Sequence, residues 1–204
     1  MGGILYLETP RLDWILQHRT FFDFTYEHCS YFTDDFMQRL LAATGFEIIS
    51  CISSYGGQYF SICAKLIAHA TNIEPAFYTE CNRVKCEFTN IQKAYEYCKR
   101  YYIPDENDCV WGCSGKGVMW LNLMDACGIS KAIDIDVDKS EHFILKTGHK
   151  IGTPEMLTIY KPKRILVMNC MYIDEIRKMV LNMLPYNMPQ ILAAEQIIDE
   201  ENNY

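Results

Sequence analysis

Residues 108–122, DCVWGCSGKGVMWLN, combine a short apolar segment, a glycine-containing loop and an amphipathic segment. This order predicts a strand, a tight turn and then a helix. Gly112, Gly115 and Gly117 allow the backbone to turn sharply and to come close to a ligand. We therefore expect a strand–turn–helix unit in which the turn is a candidate binding loop.

Two interpretations of this loop remain open. Ser114 and Lys116 add a hydroxyl and a cation, and the free N–H groups that begin the next helix suit a phosphate or carboxylate. The spacing G-x-x-G-x-G matches neither the dinucleotide fingerprint nor the phosphate-binding loop of nucleotide hydrolases. The loop is therefore either an anion site or a strand–helix turn without a ligand.

Downstream of this loop the pattern alternates between strands and helices. The predicted strands are residues 109–112, 132–136, 164–169 and 190–192. The predicted helices are residues 118–127 and 174–184, with a short acidic helix after the last strand. Strands separated by helices predict a parallel sheet with right-handed crossovers, whose ligands bind at the carboxyl ends of the strands.

Polar residues follow two of these strands at the expected edge. Asp134, Asp136 and Asp138 alternate after the second strand, and Asn169 and Tyr172 follow a later one. An acid after the second strand of a Rossmann-like unit often binds a ribose hydroxyl. The sequence does not choose among the three acids, and a solvated strand end is the alternative interpretation.

The first half of the chain predicts a different arrangement. Strands are predicted at residues 4–8, 46–53 and 58–66, and helices at 34–44 and 90–102. Asp34 is the predicted cap of the first helix and Gly45 its end, and Tyr55-Gly56-Gly57 predicts a hairpin turn. The polar break at residues 104–107 predicts a domain boundary.

Composition limits the possible functions. The chain has 204 residues, half of them apolar or aromatic, and a net charge of -7, which argues against a nucleic-acid partner. No apolar run is long enough to span a bilayer, and MGGILY lacks the features of a signal peptide. No pair of the ten cysteines is spaced C-x-x-C, so we expect no metal site and reduced thiols in a cytoplasmic protein.

Several motifs occur in the order found in one enzyme family. They are VWGCSGKG, IDIDVDKS, TGHKIGTPEML and VMNCMYIDEI, preceded by GGILYLETP, YEHCSYF and SYGGQYFSICAKL. The ordered set resembles the class I S-adenosylmethionine-dependent C-methyltransferases over about nine tenths of the chain, and such agreement across levels is more specific than any single motif. GGILYLETP resembles the fifth strand of the methyltransferase fold, and SYGGQYFSICAKL resembles its final hairpin.

The resemblance implies an α/β chain: the end of a class I methyltransferase sheet (partial), followed by a small Rossmann-like parallel-sheet domain. The implied domains are residues 1–88, a linker helix and break at 89–107, and the Rossmann-like domain at 108–204. Family members also have a zinc-binding domain and four earlier cofactor-binding strands, and no segment of the 204 residues resembles these parts. We therefore expect S-adenosylmethionine to be bound by the complete enzyme, with a possible partner chain, and not by this chain alone. A split subunit, a gene fragment and a decayed paralogue remain open.

The resemblance also implies a chemistry, the methylation of a carbon next to the carbonyl of a nucleotide-linked keto-sugar. His28 is the candidate base that removes the proton, and Glu27 orients His28 or the substrate. Tyr26 and Tyr31 are candidates to donate to the enolate oxygen. The family more often has Tyr-His-Glu-His where this chain has Thr25 followed by Tyr-Glu-His, so the tyrosine is displaced by one residue.

The remaining predicted site residues bind substrate. Ser114 or Lys116 would hold the diphosphate, and His149 lies in a segment that resembles the family's loop over the substrate nucleotide. The full substrate-binding set is Gly112, Ser114, Gly115, Lys116, Gly117, Asp136, His149, Asn169 and Tyr172. The alternative function is a non-catalytic module that binds a nucleotide or a partner. In either case a truncated sheet would expose the ILYLE strand, so we expect the isolated chain to aggregate or to pair through that surface.

Overall fold

The computed structural model describes residues 2–67, 77–124, 128–129 and 131–199. The described residues form two compact units. The first lies within Met1–Arg19 and His28–Ile91, and the second within Thr20–Glu27 and Gln92–Tyr204. Each unit contains its own sheet, so the fold is mixed α/β.

The strands are β1 (Ile4–Pro10), β2 (Phe46–Ser54), β3 (Tyr59–Leu66), β4 (Asp108–Trp111), β5 (Lys131–Ile133), β6 (Ile151–Gly152), β7 (Arg164–Val167) and β8 (Gln190–Ala193). The α-helices are α1 (Leu12–His18), α2 (Asp34–Ala43), α3 (Phe77–Tyr101), α4 (Gly115–Leu123), α5 (Leu157–Tyr160), α6 (Ile173–Met183) and α7 (Ala194–Asp199). None of these helices is long and apolar enough to cross a membrane, within the part of the chain that the structure describes.

The first unit contains a three-stranded antiparallel sheet in the order β1-β3-β2. The predicted hairpin is confirmed, with β2 and β3 joined by the turn Tyr55–Gly57. Because side chains alternate between the two faces of a strand, one face packs Phe60 and Ile62 against Met37 and Leu41 of α2.

Helix α2 begins differently from the prediction. Thr33, not Asp34, is the cap: the Thr33 hydroxyl accepts a hydrogen bond from the Phe36 amide at 3.2 Å. Asp34 instead accepts from the Arg11 guanidinium, with 2.9 Å between Nε and Oδ1. The predicted end is confirmed, because Gly45 follows the helix with a φ of 87°, a conformation that favours glycine.

Helix α3 is longer than predicted. A helix was expected over residues 90–102, but it runs over Phe77–Tyr101. Residues 68–88 gave no clear periodicity in the sequence, and residues 68–76 lie outside the described residues. The helix ends before Pro104, whose ring disfavours the helical conformation in the preceding residue.

The second unit contains the predicted parallel sheet, in the order β6-β5-β4-β7-β8. The chain adds β5 and β6 on one side of β4, and then returns to add β7 and β8 on the other. This order is compatible with a Rossmann-like fold, in which the direction of winding reverses between the two central strands. The two-residue strand β6 was not predicted because it is too short to show a pattern.

Burial explains why these strands are continuous apolar runs. Every residue of β4 is buried, and Ile165, Leu166 and Val167 of β7 are at most 1% exposed. Helices α5 and α6 cover the sheet through Leu157 and Val180, among other residues. Strands of a parallel sheet that are covered in this way require apolar side chains at successive positions.

One buried ion pair joins the amino ends of the two central strands. Asp108 is 1% exposed and accepts hydrogen bonds from Arg164 Nε at 2.9 Å, from the Tyr102 hydroxyl at 3.2 Å and from the Asp105 amide at 3.0 Å. Burial, reinforced by the negative charge of Asp108, raises the pKa of Tyr102, so that its hydroxyl remains a donor. The pair therefore connects β4 to β7 and to the segment that follows α3.

Candidate functional site

The turn after β4 lies where the winding of the sheet reverses. Gly112 has a φ of 104°, and a methyl group at Gly117 would lie 1.9 Å from the Gly112 carbonyl oxygen. Helix α4 begins at Gly115 and not at the predicted residue 118, so Gly115 and Gly117 belong to the first helical turn. Of the three glycines, Gly112 provides the left-handed turn and Gly117 the close packing.

The polar groups of this turn are already engaged within the chain. Ser114 precedes α4 but makes no side-chain cap; its hydroxyl accepts from Lys139 Nζ at 2.6 Å. The Cys113 amide donates to Asp134 Oδ2 at 2.7 Å. An incoming anion would therefore find the Ser114 hydroxyl and the Cys113 amide already bonded to the segment after β5.

The three alternating acids have different roles. Asp134 is 5% exposed and accepts from the Cys113 amide, from the Asp136 amide at 2.9 Å and from Lys139 Nζ at 3.1 Å. Asp136 accepts from the Asp138 amide at 3.0 Å and caps the short turn that follows. Asp134 therefore joins β5 to the glycine turn, while Asp136 and Asp138 are exposed.

Lys116 forms an ion pair that the sequence did not predict. Its Nζ lies 2.8 Å from Asp23 Oδ1, and the two side chains are only 19% and 10% exposed. Asp23 ends the turn Phe21–Asp23, whose two phenylalanine rings pack on Trp120 of α4 at centroid distances of 5.5 and 5.4 Å. A diphosphate at Lys116 would have to displace the Asp23 carboxylate.

The predicted catalytic motif begins next to the glycine turn. A methyl group at Gly115 would lie 2.8 Å from Thr25 Cγ2 and 3.7 Å from Glu27 Oε2. Gly115 therefore allows the Thr20–Glu27 segment to approach α4 closely, and the Glu27 carboxylate lies at the start of that helix. Tyr26, between them, is 69% exposed.

His28 and Tyr31 lie in the first unit, and the structure brings their rings together. The ring centroids are 5.9 Å apart in an edge-to-face arrangement. His28 is exposed and Tyr31 is half-buried. An exposed imidazole is accessible to a substrate, and a general base must come within reach of the proton that it removes.

Glu195 and Cys170 are two further residues of the polar cluster at the carboxyl ends of the strands. Glu195 is the second residue of α7, the helix that directly follows β8, and it is 7% exposed. Its Oε1 accepts from the Cys170 amide at 3.5 Å, while Oε2 has no hydrogen-bond partner among the described residues. An acid immediately after the last strand of a parallel sheet is the sequence signal that could have identified Glu195.

Burial has the largest effect on the pKa of both Glu195 and Cys170. It raises the pKa of Glu195, an effect that nearby Lys116 opposes and Asp23 reinforces. Burial also raises the pKa of the Cys170 thiol to about 11, with a further contribution from the charge of Glu195. Cys170 is therefore a neutral thiol at physiological pH and a poor nucleophile.

The other predicted substrate-binding residues have local roles. Asn169 Oδ1 accepts from the Met171 amide at 3.1 Å and caps the turn after β7, while Tyr172 is 46% exposed. His149 Nδ1 lies 2.8 Å from Thr147 Oγ1, and its Nε2 is hydrogen-bonded to the Ile129 carbonyl. Both nitrogens of His149 are thus used within the chain, which orients the loop that carries it.

The site therefore brings together some of the predicted residues and adds others. Around the start of α4 lie two cations, Lys116 and Lys139, and four carboxyl groups, those of Asp23, Glu27, Asp134 and Glu195. Among the described residues, no group of three or more histidine, cysteine or acidic side chains is placed to hold a metal ion. Carboxyl groups outnumber cations at this edge of the sheet.

The turn does not fit the nucleotide part of S-adenosylmethionine. In a Rossmann-like cofactor site, the backbone of the glycine turn faces the ligand and the acid after the second strand binds its ribose. Here Thr25 packs against Gly115, and Asp134 is occupied by Cys113 and Lys139.

No protein-family model matches the chain, and no curated protein matches it.

Proposed function

We propose that the chain is the C-terminal portion of an S-adenosylmethionine-dependent C-methyltransferase that acts on a nucleotide-linked keto-sugar or a similar small molecule. In this proposal the chain supplies the catalytic base and the substrate crevice, and another chain or segment supplies the cofactor lobe. The observation that carries it is the contact of Thr25 and Glu27 with Gly115. It joins the start of the predicted catalytic motif to the predicted substrate loop, which is distant in sequence.

The first unit gives separate support. The segments that resemble the fifth strand and the final hairpin of the methyltransferase fold are β1, β2 and β3, and they form one sheet. Strand β1 pairs with β3 along one edge, and its other edge has no strand beside it among the described residues. An open edge of this kind suits the addition of strands from a cofactor lobe.

The proposed chemistry uses a base and an orienting acid. His28 removes a proton from the carbon next to the substrate carbonyl, and the electron pair of the broken C–H bond forms an enolate. Glu27, which precedes His28, orients the imidazole or the substrate, and Tyr26 or Tyr31 donates a hydrogen bond to the enolate oxygen. S-adenosylmethionine, when bound by the complete enzyme, supplies the methyl group.

The second candidate function is a non-catalytic module that binds a nucleotide or a partner. The ion pair between Lys116 and Asp23 favours it, because the cation expected to hold the diphosphate is already neutralised. The one-residue displacement of Tyr26 from its position in the family's motif also favours the non-catalytic module. For either function we propose a cytoplasmic protein, since the eight described cysteines are all free thiols.

Proton exchange tests the proposed function without a cofactor. A nucleotide diphosphate 4-keto-6-deoxysugar is incubated with the full chain in D₂O, and loss of the proton next to the carbonyl is followed by NMR. The proposal predicts exchange above the buffer rate, and His28→Asn lowers it about 10²-fold or more, which is typical for loss of a general base. His142→Asn is the matched control, because His142 is exposed and outside the motif.

The two candidate functions give different results in this experiment. Binding of the nucleotide sugar without exchange supports the non-catalytic module. Exchange that is equally fast in wild type and in the His28 variant contradicts His28 as the base, and the absence of both binding and exchange contradicts the proposed substrate.

A further inference from the structure

We propose that two copies of this chain pair through the open edge of β1, with the two β1 strands antiparallel about a two-fold axis at Tyr6. The occupant of this edge in the isolated chain is therefore a second copy. The proposed function adds a cofactor lobe at the same edge, so in that function the cofactor lobe displaces the second copy. Only this competition rests on the proposed function.

The first step is to find which backbone groups of β1 are used within the sheet. The Leu66 amide donates to the Gly3 carbonyl at 3.0 Å, and the Arg11 amide donates to the Gln58 carbonyl at 2.9 Å. Both bonds continue the register of β1 with β3 at its two ends. Because hydrogen bonds alternate along an antiparallel pair, the odd-numbered residues of β1 bond to β3 and the even-numbered residues point to the open edge.

The residues that point to the open edge are accessible. They are Ile4, Tyr6 and Glu8, whose backbone N–H and C=O groups have no partner among the described residues. Ile4 and Tyr6 are 63% and 66% exposed, and Glu8 is exposed as well. The next even-numbered residue, Pro10, is buried and has no N–H group, so it ends the open edge. A row of unpaired backbone groups is a template for another strand.

The two edges of this sheet differ. Strand β2, at the opposite edge, has a register shift typical of a β-bulge between Ile48 and Ser50, whereas β1 keeps one register along its whole length. A bulge interrupts the regular ladder and protects an edge from further pairing. A second copy therefore adds at β1 and not at β2, and the product is a closed two-fold dimer rather than an extending sheet.

The two-fold axis at Tyr6 follows from the length of the open edge. It places Tyr6 opposite Tyr6, and Ile4 opposite Glu8 of the second copy, so every outward N–H and C=O group of these residues is paired. Leu5 then lies opposite Leu7 of the second copy, on the face that packs on α2. Both leucines are only half-buried in one copy, so pairing removes further apolar surface from water.

Charge selects the same register. Glu8 of the second copy lies beside Ile4, and Ile4 pairs on its other side with Lys65. Directly opposite residues share a face of the sheet, so these exposed Glu8 and Lys65 side chains lie on one face with Ile4 between them. A register centred on Glu8 would instead place the two Glu8 carboxylates opposite each other, which is unfavourable.

The test is sedimentation velocity of the full chain together with amide hydrogen exchange by NMR. Both are measured over a range of concentrations up to about 1 mM, because a small interface gives a weak dimer. We expect a monomer–dimer equilibrium in which the amides of Ile4, Tyr6 and Glu8 exchange about tenfold or more slowly in the dimer than in the monomer. The amides of Leu5 and Leu7 should be protected in both states, because they bond to β3.

Two substitutions at Tyr6 separate the backbone from the side chain. Tyr6→Pro removes an outward N–H group without removing a bond to β3, so it should abolish the dimer and leave the fold intact. Tyr6→Thr keeps the N–H group and favours a strand, so it should weaken the dimer by about fivefold at most. Circular dichroism checks that each variant is folded. If Tyr6→Pro does not fold, the exchange pattern of the wild type decides alone.

Three outcomes would overturn the proposal. They are a monomer at every concentration, a dimer in which the amides of Ile4, Tyr6 and Glu8 stay unprotected, and a folded Tyr6→Pro variant that pairs as strongly as wild type. The last two would place the association at another surface. The assays contain neither S-adenosylmethionine nor a keto-sugar, so this proposal and the proposed function can fail separately.

Discussion

The two sheets of this protein differ in how completely they are covered. All four residues of β4 in the parallel sheet are buried. In the antiparallel sheet, Ile4, Tyr6 and Ile52 are 63%, 66% and 63% exposed, although the opposite face packs on α2. The parallel sheet has the covered faces expected of a complete unit, whereas the antiparallel sheet presents apolar side chains that suit a further layer. Changes in the two sheets should therefore have different consequences.

The largest effect is expected from the buried ion pair of the parallel sheet. Asp108→Ala removes the acceptor for Arg164, Tyr102 and the Asp105 amide, and should lower the free energy of unfolding by about 3–5 kcal/mol. Urea unfolding followed by circular dichroism measures it. Asp35→Ala in the first unit, which breaks an exposed pair with Arg39, should cost about 1 kcal/mol or less. Equal losses would remove the distinction between the two units.

Paired isoleucine substitutions test the covered and open faces directly. Ile165→Ala in β7 creates a cavity in a fully buried position and should cost about 2–5 kcal/mol. Ile52→Ser, on the open face, should change the unfolding free energy by about 0.5 kcal/mol or less and reduce self-association measured by light scattering. A monodisperse wild-type monomer at high concentration would contradict the expected pairing through that face.

A glycine pair tests the close packing of the turn after β4. Gly117→Ala places a methyl group 1.9 Å from the Gly112 carbonyl oxygen and should cost about 1–3 kcal/mol, because the backbone must shift. Gly3→Ala, which meets nothing within 4 Å, should leave the unfolding midpoint nearly unchanged. A tolerated Gly117→Ala would show that helix α4 can move away from the turn.

The smallest expected effect is a change in how the free energy of unfolding depends on pH. Because the pKa of Glu195 is raised in the folded chain, its contribution to stability is fully present below its unfolded pKa and is lost as pH rises through the folded pKa. Glu195→Gln removes this loss, so its stability relative to wild type should increase from acidic to neutral pH. Urea unfolding at several pH values measures it. A constant difference would show that Glu195 titrates normally.

The sequence predicted the elements whose patterns are local. The apolar runs of β4 and β7, the Tyr55-Gly56-Gly57 hairpin and the end of α2 at Gly45 were all confirmed. Their periodicity and turn residues depend on few distant contacts. The cap of α2 was assigned one residue late, since Asp34 is drawn to Arg11 by the tertiary fold.

The polar site was less predictable because tertiary packing places its members. Asp23 reaches Lys116 only because Phe21 and Phe22 pack on Trp120, a contact without a sequence signature. The role of Asp134 among the three alternating acids depends on its hydrogen bond from the Cys113 amide.

In the proposed function, this chain binds the substrate and does not bind the cofactor. Calorimetric titration of the full chain with S-adenosylmethionine and, separately, with a nucleotide diphosphate 4-keto-6-deoxysugar tests it most directly. We expect heat of binding for the nucleotide sugar and none for S-adenosylmethionine. Micromolar binding of S-adenosylmethionine, with or without the sugar, would contradict the proposed function and would indicate that the turn after β4 holds the cofactor itself.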